Sequence, residues 1–154
     1  MSKEYFEKQE GGFLISTNSS LLNINLIHQY LSKESYWAQS IPFATVEKAI
    51  QNSLCFGLYK NNIQLGFARV MTDKATFAYV ADVFIITSEQ GKGLGKLLMK
   101  VIHEHPELQG LRRWLLTTKD AHDLYAQFGW QPINDDLRNR LMTINKPNIY
   151  KENL

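Results

Sequence analysis

The sequence predicts an α/β domain with a mixed central sheet, on three observations. Phe77 to Ile86, rich in β-branched and aromatic residues, runs through a loop holding Gly91, Gly93 and Gly95 into an amphipathic pattern, so a strand feeds a helix. Segments with strand composition pair off ahead of that unit. A further strand pattern, Arg113 to Thr118, follows at a helix's length, which requires a parallel crossover.

At 154 residues, with 44% hydrophobic and 21% charged, the chain has a globular composition of one domain's size and can bury roughly 70% of its unfolded surface. No apolar run approaches the ~20 residues of a membrane span. The charged start MSKEYFEKQE does not suit a signal peptide, so no membrane partner and a cytoplasmic location are expected. A net charge of +2 with dispersed lysines gives no nucleic-acid footprint. The single cysteine, Cys55, excludes an internal disulfide and argues against a cysteine metal site; within Leu54-Cys55-Phe56 it is expected as buried packing rather than a reactive thiol, and no metal is expected.

In chain order, residues 1–10 are polar and expected to be loose, residues 11–146 form the domain, and residues 147–154 form a tail. Gly12 to Ser16 reads as the opening strand. Thr17 to Ser20 offers capping side chains before Leu22, Leu26, Ile27, Tyr30 and Leu31, which predict a helix from about Asn23 to Ser32. Tyr36 and Trp37 fall in a loop, and a second helix over Pro42 to Ile50 starts near its proline. Leu54 to Tyr59 and Gln64 to Met71 make a hairpin around Asn61-Asn62, a pair that tolerates positive φ. Thr72-Asp73-Lys74 turns the chain into the long strand. Pro106 ends the central helix, and Leu141 to Ile144 is expected as a closing strand. His28, His103 and His105 read as solvated.

Leu94, Leu97, Leu98, Val101 and Ile102 give the central helix one apolar stripe, with Lys92, Lys96 and Lys100 on another face. Its first turn leaves backbone N–H groups unpaired, and the glycines before it carry no side chains to shield them, so an anion such as phosphate fits there. A P-loop requires GxxxxGK[ST], but Leu97 follows Lys96; a dinucleotide fingerprint requires GxGxxG, but the glycines give GxGxG.

Gln90, Gly93 and Gly95 stand as Q-x-x-G-x-G between strand and helix. Here the sequence resembles the GNAT superfamily of acyl-CoA-dependent N-acetyltransferases, which carries [RQ]-x-x-G-x-[GA] in this context. A second motif agrees: Ala121, Leu124, Tyr125, Gly129 and Trp130 match A-x-x-L-Y-x-x-x-G-[FW] in the expected order. The resemblance implies a six- to seven-stranded sheet with helices on both faces and two splayed parallel strands in the middle, with acetyl-CoA entering the gap. It places the diphosphate on the loop Gln90, Gly91, Gly93, Leu94 and Gly95, with Lys92 and Lys96 either touching the phosphates or forming a solvated helix face, and the pantetheine arm against a bulge at Val83, Phe84 and Ile85. Many members have asparagine seven positions before the tyrosine; Thr118 stands there, so the pantetheine amide is expected to meet Thr118 or Asp120, with Thr117 nearby.

The resemblance makes Tyr125 the acid that protonates the departing thiolate, against a reading in which it only packs. It places backbone N–H groups near Val83 or Phe84 to stabilise the developing oxyanion. Asp82, just before the bulge, is a candidate base or an attractor for a cationic substrate, and Asp73 is a second candidate to hold an ammonium group. His122 can titrate near neutrality, though such a residue is more often a capping or surface histidine. Tyr36, Trp37 and Phe43 are candidate walls of the acceptor pocket; the Tyr-Trp pair also suits plain packing of the helix linker. The expected activity is transfer of acetyl from acetyl-CoA to a primary amine of a small molecule or peptide, without a covalent acetyl-enzyme. A homodimer could complete the acceptor pocket. The rival reading is a catalytically silent acetyl-CoA-binding sensor.

Overall fold

The structure, a computed structural model, describes residues 4–152. Six strands form one sheet in the order β1 (Glu7–Glu10), β2 (Phe13–Ser16), β3 (Leu54–Lys60), β4 (Ile63–Thr72), β5 (Phe77–Ile85) and β6 (Arg113–Leu116). Every neighbouring pair is antiparallel except β5 and β6, which run parallel as the crossover requires. The hairpin between β3 and β4 turns on Asn61 and Asn62, both at positive φ, as a two-residue turn in a right-twisted hairpin demands.

Helices α1 (Ile24–Gln29) and α2 (Phe43–Gln51) cover one face, and α3 (Leu94–Glu104) covers the other. The α3 face buries Ile15, Phe56, Leu58, Val70, Val80, Leu98 and Ile102. The opposite face buries Ile27, Leu31, Val46, Ile50, Cys55, Phe67 and Phe84. Alternation along β3 sends Phe56 and Leu58 one way and Cys55 the other, which is how one strand feeds two cores. Cys55 is buried as expected, and burial pushes its thiol up to about 12.

Four expectations are corrected. Residues 1–10 are not all loose: Glu7–Glu10 pairs with β2, and Ser16 Oγ donates to Glu7 Oε2 at 2.8 Å; Met1 to Lys3 lie outside the described residues. Leu141 to Ile144 forms no strand, leaving Met142 97% and Ile144 91% exposed, so the parallel pair lies at the sheet's edge rather than in its middle. The 147–154 tail contains a one-turn helix, Ile149–Glu152, whose Tyr150 packs on the α1–α2 core; Asn153 and Leu154 lie outside the described residues. The three histidines expected to be solvated, His28, His103 and His105, each have a protein partner. His105 is buried between Phe6 and Phe56, and its Nδ1 accepts the Glu107 N–H at 3.0 Å. His103 sits among Trp114, Phe128 and Trp130, its Nε2 accepting the Trp130 indole N–H at 3.0 Å; His28 Nε2 bonds the Ile41 carbonyl at 3.0 Å.

Among the described residues no helix is long and apolar enough to cross a membrane, and no group of His, Cys, Asp and Glu could hold a metal ion.

Burial lowers the pKa of both His103 and His105 below the ordinary 6.5. The unfolded chain therefore binds protons there that the fold refuses, and stability falls as pH drops below that value. At the alkaline end burial raises Cys55 from 9.0 and Tyr125 from 10.0, each to about 12, so the fold keeps protons that the unfolded chain releases. Urea midpoints measured across pH should therefore peak between about pH 7 and 9 and decline on both sides. Tyr59 adds a second test: its hydroxyl is the one buried side-chain polar atom without a hydrogen bond among the described residues. Tyr59→Phe should leave stability equal or raise it by about 1 kcal/mol in the same assay.

Candidate active site

The parallel pair is laddered only from Phe77↔Arg113 to Val80↔Leu116. Beyond that rung β5 continues to Ile85 while β6 stops, so Ala81–Ile85 has β4 on one side and no strand on the other. This is the splay that the resemblance implies. Tyr79 and Thr117 mark its fork, Tyr79 Oη lying 3.3 Å from Thr117 Oγ1.

Within the bare stretch the ladder to β4 slips: Arg69 pairs with Ala81 and Phe67 with Phe84, so Asp82 and Val83 stand opposite Ala68 alone. Asp82 takes φ +52 to make this bulge. Of the residues expected at the pantetheine arm, Phe84 and Ile85 bury their side chains, so only their backbone can meet a ligand. Gln90 Nε2 donates to the Ile85 carbonyl at 2.9 Å, tying the loop back to the strand end.

The glycine loop leads into α3 through Gly93 at φ +81, and no side chain caps the helix. A Cβ on Gly91 or Gly93 would meet nothing within 4 Å, so the approach to the first-turn N–H groups is open. These features fit a diphosphate. Leu94 contributes backbone only, its side chain being buried, and Gly95 faces Leu124 of α4 (His122–Ala126). Lys92 Nζ pairs with Glu89 at 2.8 Å, while Lys96 is exposed.

Tyr125 lies on α4 with its ring buried. Burial first, then the charges of Tyr36 and Asp120, push its hydroxyl up to about 12, so it stays protonated at neutral pH. Among the described residues nothing hydrogen-bonds that hydroxyl, yet it is not sealed from solvent as Tyr59 is. Thr118 Oγ1 accepts the Ala121 N–H at 3.0 Å just ahead of α4, which leaves its hydroxyl hydrogen as the donor it can offer. Asp120 and His122 are exposed.

The Tyr36–Trp37 pair does more than pack a linker. Helix α1 runs into a single π-turn over Tyr30–Glu34, and buried Ser35 then donates to the Leu31 carbonyl at 2.6 Å and accepts the Ala38 N–H at 3.1 Å. That clamp turns Tyr36 and Trp37 outward. Tyr36 Oη accepts the Lys119 N–H at 2.9 Å, and Trp37 Nε1 donates to Asp82 Oδ1 at 2.8 Å. One dipeptide is thus tied to the bulge of β5 and to the loop after β6, spanning the gap as a clasp. Phe43 is not part of it; its ring meets His28 edge-on.

Two charged residues differ from expectation. Asp73 is engaged by its own turn: Oδ1 accepts the N–H groups of Ala75, Thr76 and Phe77, and Oδ2 accepts the Thr76 hydroxyl, at the other end of β5. Asp82 is not free either, since Oδ2 accepts Arg69 Nε at 2.8 Å. Arg69 escaped the sequence reading, although a cation within the apolar run Leu65 to Met71 signals a buried partner. Tyr30 was also missed: its ring stacks on Phe84 at 4.0 Å and 6°, and Glu34 Oε1 accepts the Thr87 hydroxyl at 3.1 Å, so the π-turn braces the loop.

Comparison with known proteins agrees with this geometry. Residues 51–132 match the family model of the acetyltransferase (GNAT) domain. A protein of Gibberella zeae named as an acetyltransferase is 32% identical over 139 residues, 76% of this chain and 77% of that protein. A crystal structure from Xanthomonas campestris, named as an acetyltransferase of the GNAT family, has 46% identity and a TM-score of 0.87, covering 92% of this chain and 99% of the other. A GNAT family acetyltransferase from Elizabethkingia anophelis with acetyl-CoA bound shares the fold at a TM-score of 0.61 and 12% identity, over 81% of this chain and 80% of its own.

The glycines at the helix mouth have opposite needs. Gly93→Ala forces a side chain into the left-handed region and should lower stability by about 1 kcal/mol. Gly95 is helical, and an added Cβ would meet Leu124 at an ordinary 3.6 Å, so Gly95→Ala should raise stability by about 0.5 kcal/mol. Urea denaturation of the two variants checks the pair.

Proposed function

The chain belongs to the GNAT acetyltransferase family, and we propose that it transfers the acetyl group of acetyl-CoA to a primary amine of a small molecule or peptide, by direct attack while both are bound. Acetyl-CoA would supply an activated thioester. This chain's residues would hold, orient and protonate. The open first turn of α3 and the loop Gln90 to Gly95 suit the diphosphate, and the unpaired stretch Ala81–Ile85 suits an amide-bearing arm lying where a strand is missing. Backbone N–H groups at the bulge can donate to the carbonyl oxygen as it gains charge.

The observation that carries the reading is Tyr125, a protonated hydroxyl with no hydrogen bond among the described residues, close enough to the clasp for Tyr36 to act on it electrostatically. In this role it donates its proton to the departing sulfur, and the proton lost by the attacking nitrogen passes through water to restore the phenol. The acceptor enters as a neutral amine. The clasp residues Tyr36 and Trp37 border its approach.

Thiol release from acetyl-CoA, followed over a panel of polyamines, aminoglycosides, amino acids and peptide N-termini, tests the activity. Release with at least one amine is expected. Acetyl-CoA that raises the melting temperature yet yields no thiol with any amine would favour the silent sensor instead. On the amine found, Tyr125→Phe should lower kcat about 100-fold and leave acetyl-CoA affinity within about threefold. Because the hydroxyl holds its proton to about 12, kcat of the wild-type chain should rise as the amine deprotonates and show no alkaline limb below about pH 10.

A further inference from the structure

Three side chains at the centre of the site are left unused by the chemistry above: Arg69 on β4, Asp82 at the bulge of β5 and Trp37 on the clasp. Both oxygens of Asp82 are engaged, Oδ2 by Arg69 Nε at 2.8 Å and Oδ1 by Trp37 Nε1 at 2.8 Å. The Arg69 and Asp82 side chains are only 18% and 11% exposed, so the ion pair is largely withdrawn from water. Arg69 Nη1 is braced in turn by Ser53 Oγ at 3.2 Å and Met71 Sδ at 3.3 Å. Asp82 meanwhile occupies φ +52, a conformation that L side chains avoid unless their surroundings impose it. The grip that imposes it here is a charge-assisted bond from the neighbouring strand.

We propose that Arg69 is a positioning residue for the transfer: through Asp82 it fixes both the bulge that faces the gap and the Trp37 indole that borders the acceptor. The inference rests on the acetyl-transfer reading. It removes Asp82 from the role of general base, because a carboxylate bonded by a guanidinium on one oxygen and an indole on the other must surrender a bond before it takes a proton. It also removes Asp82 as an ammonium trap, since its charge is already paired. The chain of contacts instead transmits the rigidity of the β4–β5 ladder to two places the reaction needs, one on the thioester side and one on the amine side.

Steady-state kinetics of Arg69→Met, Asp82→Asn and the double variant test this. Each single variant should lower kcat by about tenfold or more while KM for acetyl-CoA moves less than about threefold, and the double variant should be no worse than the poorer single one, because both break the same link. Arg69→Lys should recover part of the loss. The acid limb of the pH–kcat profile should keep its position in Asp82→Asn. Disappearance of that limb, with Arg69→Met near wild type, would make Asp82 the base and overturn the proposal; so would losses that multiply.

A second readout does not depend on turnover. The indole ¹⁵N–¹H resonance of Trp37, assigned by its absence in Trp37→Phe, should shift in Arg69→Met while those of Trp114 and Trp130 stay in place. A Trp37 resonance that does not move, with kcat unchanged, would sink this proposal and leave acetyl transfer standing. A wild-type chain that binds no acetyl-CoA by calorimetry would sink both. Should Arg69→Met fail to fold, Trp37→Phe breaks the link at its exposed end: kcat should fall severalfold with the melting temperature unchanged, and an unaltered kcat counts against the proposal.

Discussion

A strand that must be laddered on one edge and bare on the other is the constraint on which this molecule depends. β5 keeps its register with β4 along most of its nine residues, yet from Ala81 onward it has lost β6. An unpaired edge inside a domain leaves backbone N–H and C=O groups that elsewhere would cost free energy. The bulge at Asp82 and Val83 answers part of that by turning the strand locally. A left-handed aspartate costs roughly 1–2 kcal/mol, about the scale that a hydrogen bond to a charged group can offset. Arg69 supplies such a bond from the strand alongside, so the strain and its remedy lie a few ångströms apart.

The two cores then place everything else relative to that edge. On one face α3 packs Leu98, Met99 and Ile102 against the sheet, which brings its open N-terminal turn to the end of β5. Leu124 of α4 lies over Gly95, and the same helix carries Tyr125. On the other face α1 and its π-turn lean on Phe84 through Tyr30 and on Thr87, in the turn before the glycine loop, through Glu34. The turn before the glycine loop is thus braced by Glu34 from one face, while α3 carries the end of the loop on the other. A rigid cradle with few side chains of its own follows from that arrangement.

Much of this was legible in the chain because local rules govern it. Asn61-Asn62 announces its turn, Pro42 its helix start, and the stripe Leu94 to Ile102 its buried face, each from residues adjacent in sequence. The corrected elements are those where local rules mislead. Glu7–Glu10 is charged and reads as a loose end, but an edge strand exposed to solvent tolerates that composition, and β2 was available to pair with it. Leu141 to Ile144 has strand composition without a partner, and composition alone does not make a ladder. His105 reads as polar, yet a neutral imidazole between two phenylalanines that also caps a turn behaves as a core residue.

The site was legible as two motifs and no further, and the reason is sequence distance. Trp37 meets Asp82 across 45 positions, and Tyr36 meets the backbone of Lys119 across 83; no periodicity or spacing rule reaches that far. These contacts change the chemistry assigned to the residues they join. A carboxylate judged alone is a base, and the same carboxylate between a guanidinium and an indole is a strut. What the chain did display was Arg69, a permanent cation in an apolar strand. Since an isolated buried charge is too costly to persist, such a residue implies an anion on a neighbouring strand. The long strand, Phe77 to Ile86, holds a single acidic residue, Asp82, and that is where Arg69 finds its anion.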